Sequence, residues 1–479
     1  MKHFLMVSLL SASIFMISNC ARNPVTGKRE VVLMSEAQEI EMGKAADPEV
    51  IQQFGLYEDS SLQRYINSMG QRMAAISHRP GLQYQFRVIN SDVINAFAVP
   101  GGYVYFTRGI MAYLNSEAQF AGVLGHEIGH ITARHSVKQQ RNQILASVGL
   151  IAGMIISPEL ARFGETASQG LGLLLLKYGR DAERQSDELG VDYSARIGYD
   201  PQYMADFFQT LERQSAQSSN EELPSFLSTH PSPEERYATV KKLAAEKKQE
   251  LNSPNLVVGR DEYLRRIEGL IYGEDPKEGF LESGVFYHPP LRFQFTTPSN
   301  WAYQNTPQQV QLASRDGKAL MIFTLAQGKT LDEAASGVLQ QYKLQLVNSN
   351  RTTVNGNNAI VMIADLPQQQ GTLRTLSYVV QHGENIYLMI GVSALNDFPA
   401  YDRILSASMQ SFRTLTAPTI LNKKPQRVRV RSVGQTASLQ QVLRGFNIPD
   451  RRLEEHALLN GMQLTESVPS GTLIKVIGE

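Results

Sequence analysis

The stretch Gln119-Phe120-Ala121-Gly122-Val123-Leu124-Gly125-His126-Glu127-Ile128-Gly129-His130-Ile131-Thr132-Ala133-Arg134-His135 sets two imidazoles four residues apart around a glutamate. On an α-helix, residues at that spacing lie one above the other, so both rings project from one face and can hold one metal ion. Glu127 follows the first ring in sequence and reaches a water on that ion without binding the ion itself. Zinc lowers the pKa of such a water towards neutrality, and a carboxylate then takes its proton as the water attacks a carbonyl. The spacing therefore predicts peptide-bond hydrolysis at one zinc ion per chain. Histidine is scarce, nine in 479 residues, which makes a chance match uncommon.

The flanking residues support a buried helix. Ser116 and Gln119 have capping-box spacing and start it. Phe120, Val123, Leu124 and Ile131 recur at helical intervals. Gly122, Gly125 and Gly129 fall near one stripe, and each costs about 1 kcal/mol against alanine in a helix interior. Close approach of another segment to that stripe would account for them. His135 points about 140° away from His130 at 100° per residue, so it reads as an ordinary polar residue.

A catalytic zinc needs a third protein ligand. Cysteine cannot supply it, since the only one is Cys20. The polar, helix-compatible stretch from Tyr178 to Tyr193 offers Glu183 and Asp187 at i, i+4. One carboxylate could bind the ion while the other orients a ligand imidazole. The competing reading is a charged helix with an Arg184–Glu188 pair on its solvated face.

Taken together, His126-Glu127-Ile-Gly-His130, Arg180-Asp-Ala-Glu183-Arg-Gln-Ser186-Asp187, Thr229-His230-Pro-Ser-Pro-Glu-Glu-Arg236 and Asn95-Ala96-Phe97-Ala-Val-Pro-Gly-Gly-Tyr-Val-Tyr-Phe106 resemble the M48 metallopeptidases. The resemblance implies that His126, His130 and Glu183 bind zinc and that Glu127 is the general base. It implies that Asp187 supports the site and that His230 and Arg236 lie near the metal. His230 would either occupy the open ligand position as a latch or stabilise the developing oxyanion, with Arg236 the rival for the second task. The family commonly has Ser where Gly179 stands and Ala where Ser186 stands. The segment Val93–Thr107 reads as two strands joined at Pro100-Gly-Gly. An exposed edge at Asn95, Ala96 and Phe97 would accept an extended polypeptide through its backbone.

Met1-Lys-His followed by an apolar run to Ile17 is too short to span a bilayer. It ends in Ile17-Ser18-Asn19-Cys20, which resembles a bacterial lipobox with Asn19 in place of the usual Gly or Ala. The expectation is a signal peptide over 1–19, acylation at Cys20, a flexible tether over 20–34, and anchoring at the periplasmic face of the outer membrane. A cleaved signal and a soluble periplasmic protein is the alternative. Positive and negative side chains balance at 46 each, giving no reason to invoke nucleic acid. The apolar runs Ile144–Ile156 and Leu171–Leu176 fall short of the ~20 residues of a membrane helix; buried core helices are the first expectation, with a lid over the cleft or a surface dipping into the membrane as the alternatives.

The expected class is α+β. A mostly helical zincin-type metallopeptidase domain with a small hairpin or sheet covers 35–250. A helical linker follows over 251–284. Residues 285–416 resemble the Mog1/PsbP-like α/β fold, and 427–479 resemble a small LysM-like βααβ module offering a glycan or protein contact. Substrates would be unfolded or misassembled envelope polypeptides. The competing function is a chaperone-like or cell-wall-binding lipoprotein with a latent site.

Overall fold

The computed structural model describes residues 20–31, 34–137, 150–151, 154–155, 160, 163, 178–217, 226, 230, 233–252, 255–368 and 371–479. Residues 1–19, expected to be a signal peptide, the side chain of Cys20, the run 171–176 and most of 144–156 lie outside them. Among the described residues, no helix is long and apolar enough to cross a membrane.

The chain is α+β. Helices α1 (Glu36–Phe54) and α2 (Ser60–Ala75) precede a three-stranded sheet of β1 (Gln85–Ile89), β2 (Ala96–Val99) and β3 (Tyr103–Thr107). Its order is β1-β3-β2, with β1 parallel and β2 antiparallel to β3. The short α3 (Arg108–Tyr113) leads into α4 (Glu117–Thr132), followed by α5 (Arg180–Arg196), α6 (Gln202–Gln217), α7 (Pro233–Glu250) and α8 (Arg260–Arg266).

Helix α4 starts where its cap predicts. The Ser116 hydroxyl accepts from the Gln119 amide at 3.1 Å, but the Gln119 side chain turns to the Asn115 amide at 2.6 Å. From Ala118 to Thr132 every residue is buried, so α4 is the central element of the domain. It stops at Ala133, and Arg134 takes φ +58°, reversing the chain. Buried Arg79 holds that end, donating to Ile131 O at 3.1 Å and to Glu39 at 2.7 Å.

The supposed tether is folded. Cys20–Arg22 pairs antiparallel with Arg29–Val31 around a turn in which Asn23 Oδ1 accepts from the amides of Val25 and Thr26 at 2.9 and 3.0 Å. Asn23, Pro24 and left-handed Gly27 are turn chemistry, and this outweighs the polar composition that reads as a tether.

The 251–284 segment is likewise no free linker. It holds α8, a 3₁₀ turn at Pro276–Glu278 and a short strand, Phe280–Glu282, and Tyr263, Leu264, Ile267 and Leu270 sit in the core around α4.

A seven-stranded antiparallel sheet follows: β4 (Ala302–Asn305), β5 (Gln309–Ala313), β6 (Ala319–Leu325), β7 (Gln345–Val354), β8 (Asn357–Gln368), β9 (Gly371–His382) and β10 (Asn385–Ala394). Its order is β4-β5-β6-β10-β9-β8-β7. Helix α9 (Leu331–Gln341) contributes Ala334, Ala335 and Val338 to one apolar cluster, and α10 (Phe398–Gln410) contributes Tyr401, Leu405 and Met409 to a second. Where the apolar insertion is described it forms a short strand pair, Leu150–Ile151 with Met154–Ile155, rather than helix. Its Leu160 and Phe163 are buried against this sheet, Phe163 stacking on Tyr342 at 4.9 Å.

The tail has the order β11 (Arg427–Ser432), α11 (Leu439–Gly445), α12 (Leu453–Leu459), β12 (Leu473–Gly478), with β11 antiparallel to β12. It is built into the helical domain. Val428, Leu459 and Ile477 belong to the core around α4, and Val428 exchanges backbone hydrogen bonds with Gly269 and Leu270 at 2.8 Å. Fully buried Lys475 donates to the carbonyls of Ala112 and Leu114 at 2.6 and 2.9 Å, at the end of α3 where the helix dipole is negative.

Candidate metal centre

Helix α4 supplies His126 and His130, α5 supplies Glu183, and His230 comes from the segment preceding α7. These four buried side chains each turn one ligand atom inward, and those atoms lie within 4.8 Å of one another. The Nε2 atoms of His126 and His130 are 3.0 Å apart, and His130 Nε2 is 3.4 Å from Glu183 Oε1. His230 Nδ1 is 3.2 Å from His126 Nε2 and 3.0 Å from Glu183 Oε1. Nitrogen and oxygen ligands about 2.1 Å from a tetrahedral zinc stand about 3.4 Å from each other, so these separations suit such an ion.

The glycine stripe explains how the two helices come close enough. A Cβ at Gly125 would lie 3.0 Å from both Cα and O of Gly190 on α5, and one at Gly129 would lie 3.2 Å from Ser186 Cα. At Gly122 it would lie 2.5 Å from Met204 Cβ on α6. Backbone meets backbone at the crossing, and this brings Glu183 under the two rings.

Glu127 lies beside the cluster, wholly buried, and among the described residues neither carboxylate oxygen has a hydrogen-bond partner. His230 Nε2 lies 3.6 Å from its Oε1. A buried carboxylate without partners is costly unless something polar is meant to meet it. Burial pushes its carboxyl above the usual range. A donor set of two imidazoles and a carboxylate, with an unmet acid facing them, fits a catalytic zinc with its water.

The support around the cluster separates the two acidic candidates. Asp187 Oδ1 lies 2.9 Å from Nδ1 of His126, on the side of the ring away from the cluster, while Glu183 faces inward. Arg236 clamps Asp187 with two donors at 2.8 and 2.7 Å, reaches Glu183 Oε2 at 3.1 Å, and stacks over Phe208 at 4.0 Å. Burial alone would raise the Asp187 and Glu183 carboxyls, but Arg236, helped by His126, outweighs it at Asp187, and His230, helped by Arg236 and His130, outweighs it at Glu183, so both lie below their usual range. Burial depresses the His130 imidazole well below its usual value, leaving it neutral as a ligand must be.

His135 corrects the sequence reading. It is 4% exposed, with Nδ1 3.0 Å from Nδ1 of His130 and Nε2 2.9 Å from Gln185. The 100° extrapolation fails because the helix has ended and Arg134 turns the chain back. Ser186, where the family commonly has Ala, adds its hydroxyl to His135 at 3.2 Å. Gly179 caps α5 without any side-chain hydrogen bond. Two aromatic residues without a predicted role also wall the site: Tyr178 stacks on His130 at 3.9 Å and Phe226 on His230 at 4.5 Å. The Arg184–Glu188 alternative is absent, since Arg184 faces Asp181 and Glu235 at 3.6 and 3.8 Å.

Asn95, Ala96 and Phe97 lie at and along β2, an outer strand of its sheet. Their side chains are buried, Phe97 against Tyr105, and the Phe226 amide donates to Ile94 O at 3.1 Å just ahead of them.

"Beta-barrel assembly-enhancing protease" of Escherichia coli (strain K12) is 31% identical over 297 residues, covering 60% of this chain and 56% of that protein. "Mitochondrial metalloendopeptidase OMA1" of Arabidopsis thaliana is 29% identical over 180 residues, 37% of this chain and 35% of that protein. The chain thus spans little more than half the length of the first relative and about a third of the second. A solved cyanobacterial PsbP from Synechocystis sp. PCC 6803 overlays 28% of this chain and 91% of its own at 12% identity and a TM-score of 0.22. Residues 60–244, which hold the four converging side chains, match the model of peptidase family M48.

Proposed function

We propose that this chain is a zinc endopeptidase that hydrolyses unfolded or misassembled polypeptides of the bacterial cell envelope. The observation that carries the reading is Glu127, buried without a partner beside three ligand side chains. His126, His130 and Glu183 would hold the ion, which when bound supplies an acidified water and polarises the scissile carbonyl. Glu127 takes the proton and passes it to the leaving amine. Asp187 fixes the tautomer of His126, Arg236 fixes Asp187, and the outer edge of β2 at Asn95–Phe97 aligns the substrate backbone. The lipobox-like Cys20 supports a lipid anchor at the periplasmic face of the outer membrane, and the similarity to a protease named for enhancing β-barrel assembly supports work on envelope proteins.

Metal removal tests this directly. Dialysis against a chelator is expected to abolish cleavage of reduced, carboxymethylated casein, and one equivalent of zinc to restore it. Protein purified without chelators that contains no zinc would overturn the reading.

His230 in this conformation fills the fourth ligand position with Nδ1 and screens Glu127 with Nε2. We read it as a latch. His230→Ala is expected to raise casein turnover several-fold at unchanged zinc content, and complete loss of activity would assign it to the oxyanion instead.

A further inference from the structure

We propose that β7, the edge of the seven-stranded sheet that among the described residues pairs on one side only, binds an extended polypeptide segment by strand addition. Its occupant is a substrate of the peptidase site, so the proposal rests on the endopeptidase reading for what is delivered. The edge is long and open. Its ten residues pair on one side with β8, and nine of them are exposed, among them Leu346 and Val347 at 50% and 54%. The opposite edge, β4, has four residues and is covered where Asn305 donates to the carbonyls of Glu278 and Gly279.

Natural sheets blunt exposed edges with lysine, proline, inward charges or very short strands. The stretch Gln345-Leu-Val-Asn-Ser-Asn-Arg-Thr-Thr-Val354 contains no lysine, proline or glycine. Its one charge, Arg351, is tied to Asp332 on α9. A bulge between Leu346 and Asn348 bends only the start of the strand.

The register identifies the groups on offer. β7 and β8 are joined by a two-residue turn, Asn355-Gly356, both with positive φ, which makes Val354 and Asn357 a hydrogen-bonded pair. Alternation then turns the amides of Thr352, Asn350 and Asn348 towards β8, and the N–H and C=O groups of Thr353, Arg351 and Ser349 outward. Three outward residues in line present a backbone template that reads no side-chain sequence, as a protease of unfolded chains requires. A second copy of this chain suits the edge poorly. The antiparallel register that engages all three residues sets Ser349 against Thr353 and Arg351 directly against its own copy, a like-charge pair.

Proline separates the two sides of the strand. Ser349→Pro with Thr353→Pro removes two outward N–H groups and leaves the ladder to β8 intact. In the full chain, this double variant is expected to raise KM for reduced, carboxymethylated casein about tenfold while kcat/KM for a quenched octapeptide stays unchanged. An unchanged KM for casein would overturn the proposal. A second measurement does not depend on the proline variant folding or on catalysis. In the Glu127→Gln chain, hydrogen exchange across 345–354 is expected to slow when the casein is added. Failure to slow would overturn the proposal even if cleavage is normal. Protection that instead grows with protein concentration alone would overturn it in favour of self-pairing. Protection without any cleavage by the wild-type chain would uphold strand addition and sink the peptidase reading.

Discussion

Glu127→Gln is expected to lower peptide-bond hydrolysis by about 10²–10⁴-fold, the usual share of a positioned general base, while zinc content and thermal unfolding stay close to those of the wild type. The substitution keeps the shape of the side chain and removes only its ability to take a proton. No hydrogen bond within the described residues is lost, because neither oxygen of Glu127 has a partner among them. The ligands remain held by other residues: His126 by Asp187, His130 by His135 and Tyr178, and Glu183 by Arg236. Measuring casein cleavage and bound zinc on the same preparation makes the outcome decisive. Equal cleavage by the two proteins would remove Glu127 from the reaction, and loss of zinc with loss of cleavage would make it a structural residue.

Gly125→Val is expected to abolish activity by a different route. At 3.0 Å from two backbone atoms of Gly190, even a Cβ finds no flexible side chain to displace, so α4 and α5 must part. Overpacking of this kind costs about 1–3 kcal/mol, which for a domain of this size lowers the melting temperature by roughly 2–10 °C. The larger consequence is chemical. Glu183 rides on α5, and moving that helix outward withdraws the carboxylate from both rings. Zinc affinity should therefore fall far more than stability, with residual secondary structure by circular dichroism close to normal. A variant that binds zinc as tightly as the wild type would show that the crossing does not set the ligand geometry.

Much of this site is readable along the chain because its key residues sit within single helices. His126, Glu127 and His130 occupy adjacent turns, and the glycines beside them announce a close crossing. The pair Glu183 and Asp187 is visible at i, i+4, but which one faces inward depends on how α5 lies against α4. His135 is misread for a local reason, the left-handed Arg134 after the helix end. Strand β7 escapes pattern reading because nine of its ten side chains are exposed, so no alternation marks it. Helix α10 is equally silent beside the strands before it. The Mog1/PsbP-like and LysM-like readings follow element order only, and element order says nothing of contacts between distant parts. Lys475 looks like a solvated residue in Leu473-Ile-Lys-Val-Ile477, yet it is buried against α3.

That lysine imposes a timetable on the chain. The carbonyls it seizes, Ala112 and Leu114, lie just ahead of the Ser116 cap, and the intervening Asn115, next to that cap, donates to Leu459 O at 3.3 Å. The start of the ligand-bearing helix is thus clasped by residues more than three hundred positions later in synthesis. A nascent chain halted anywhere before that clasp would carry its histidines and glutamates in an unfinished core. Cutting ability would then mature last, protecting both the growing polypeptide and its neighbours from premature scission.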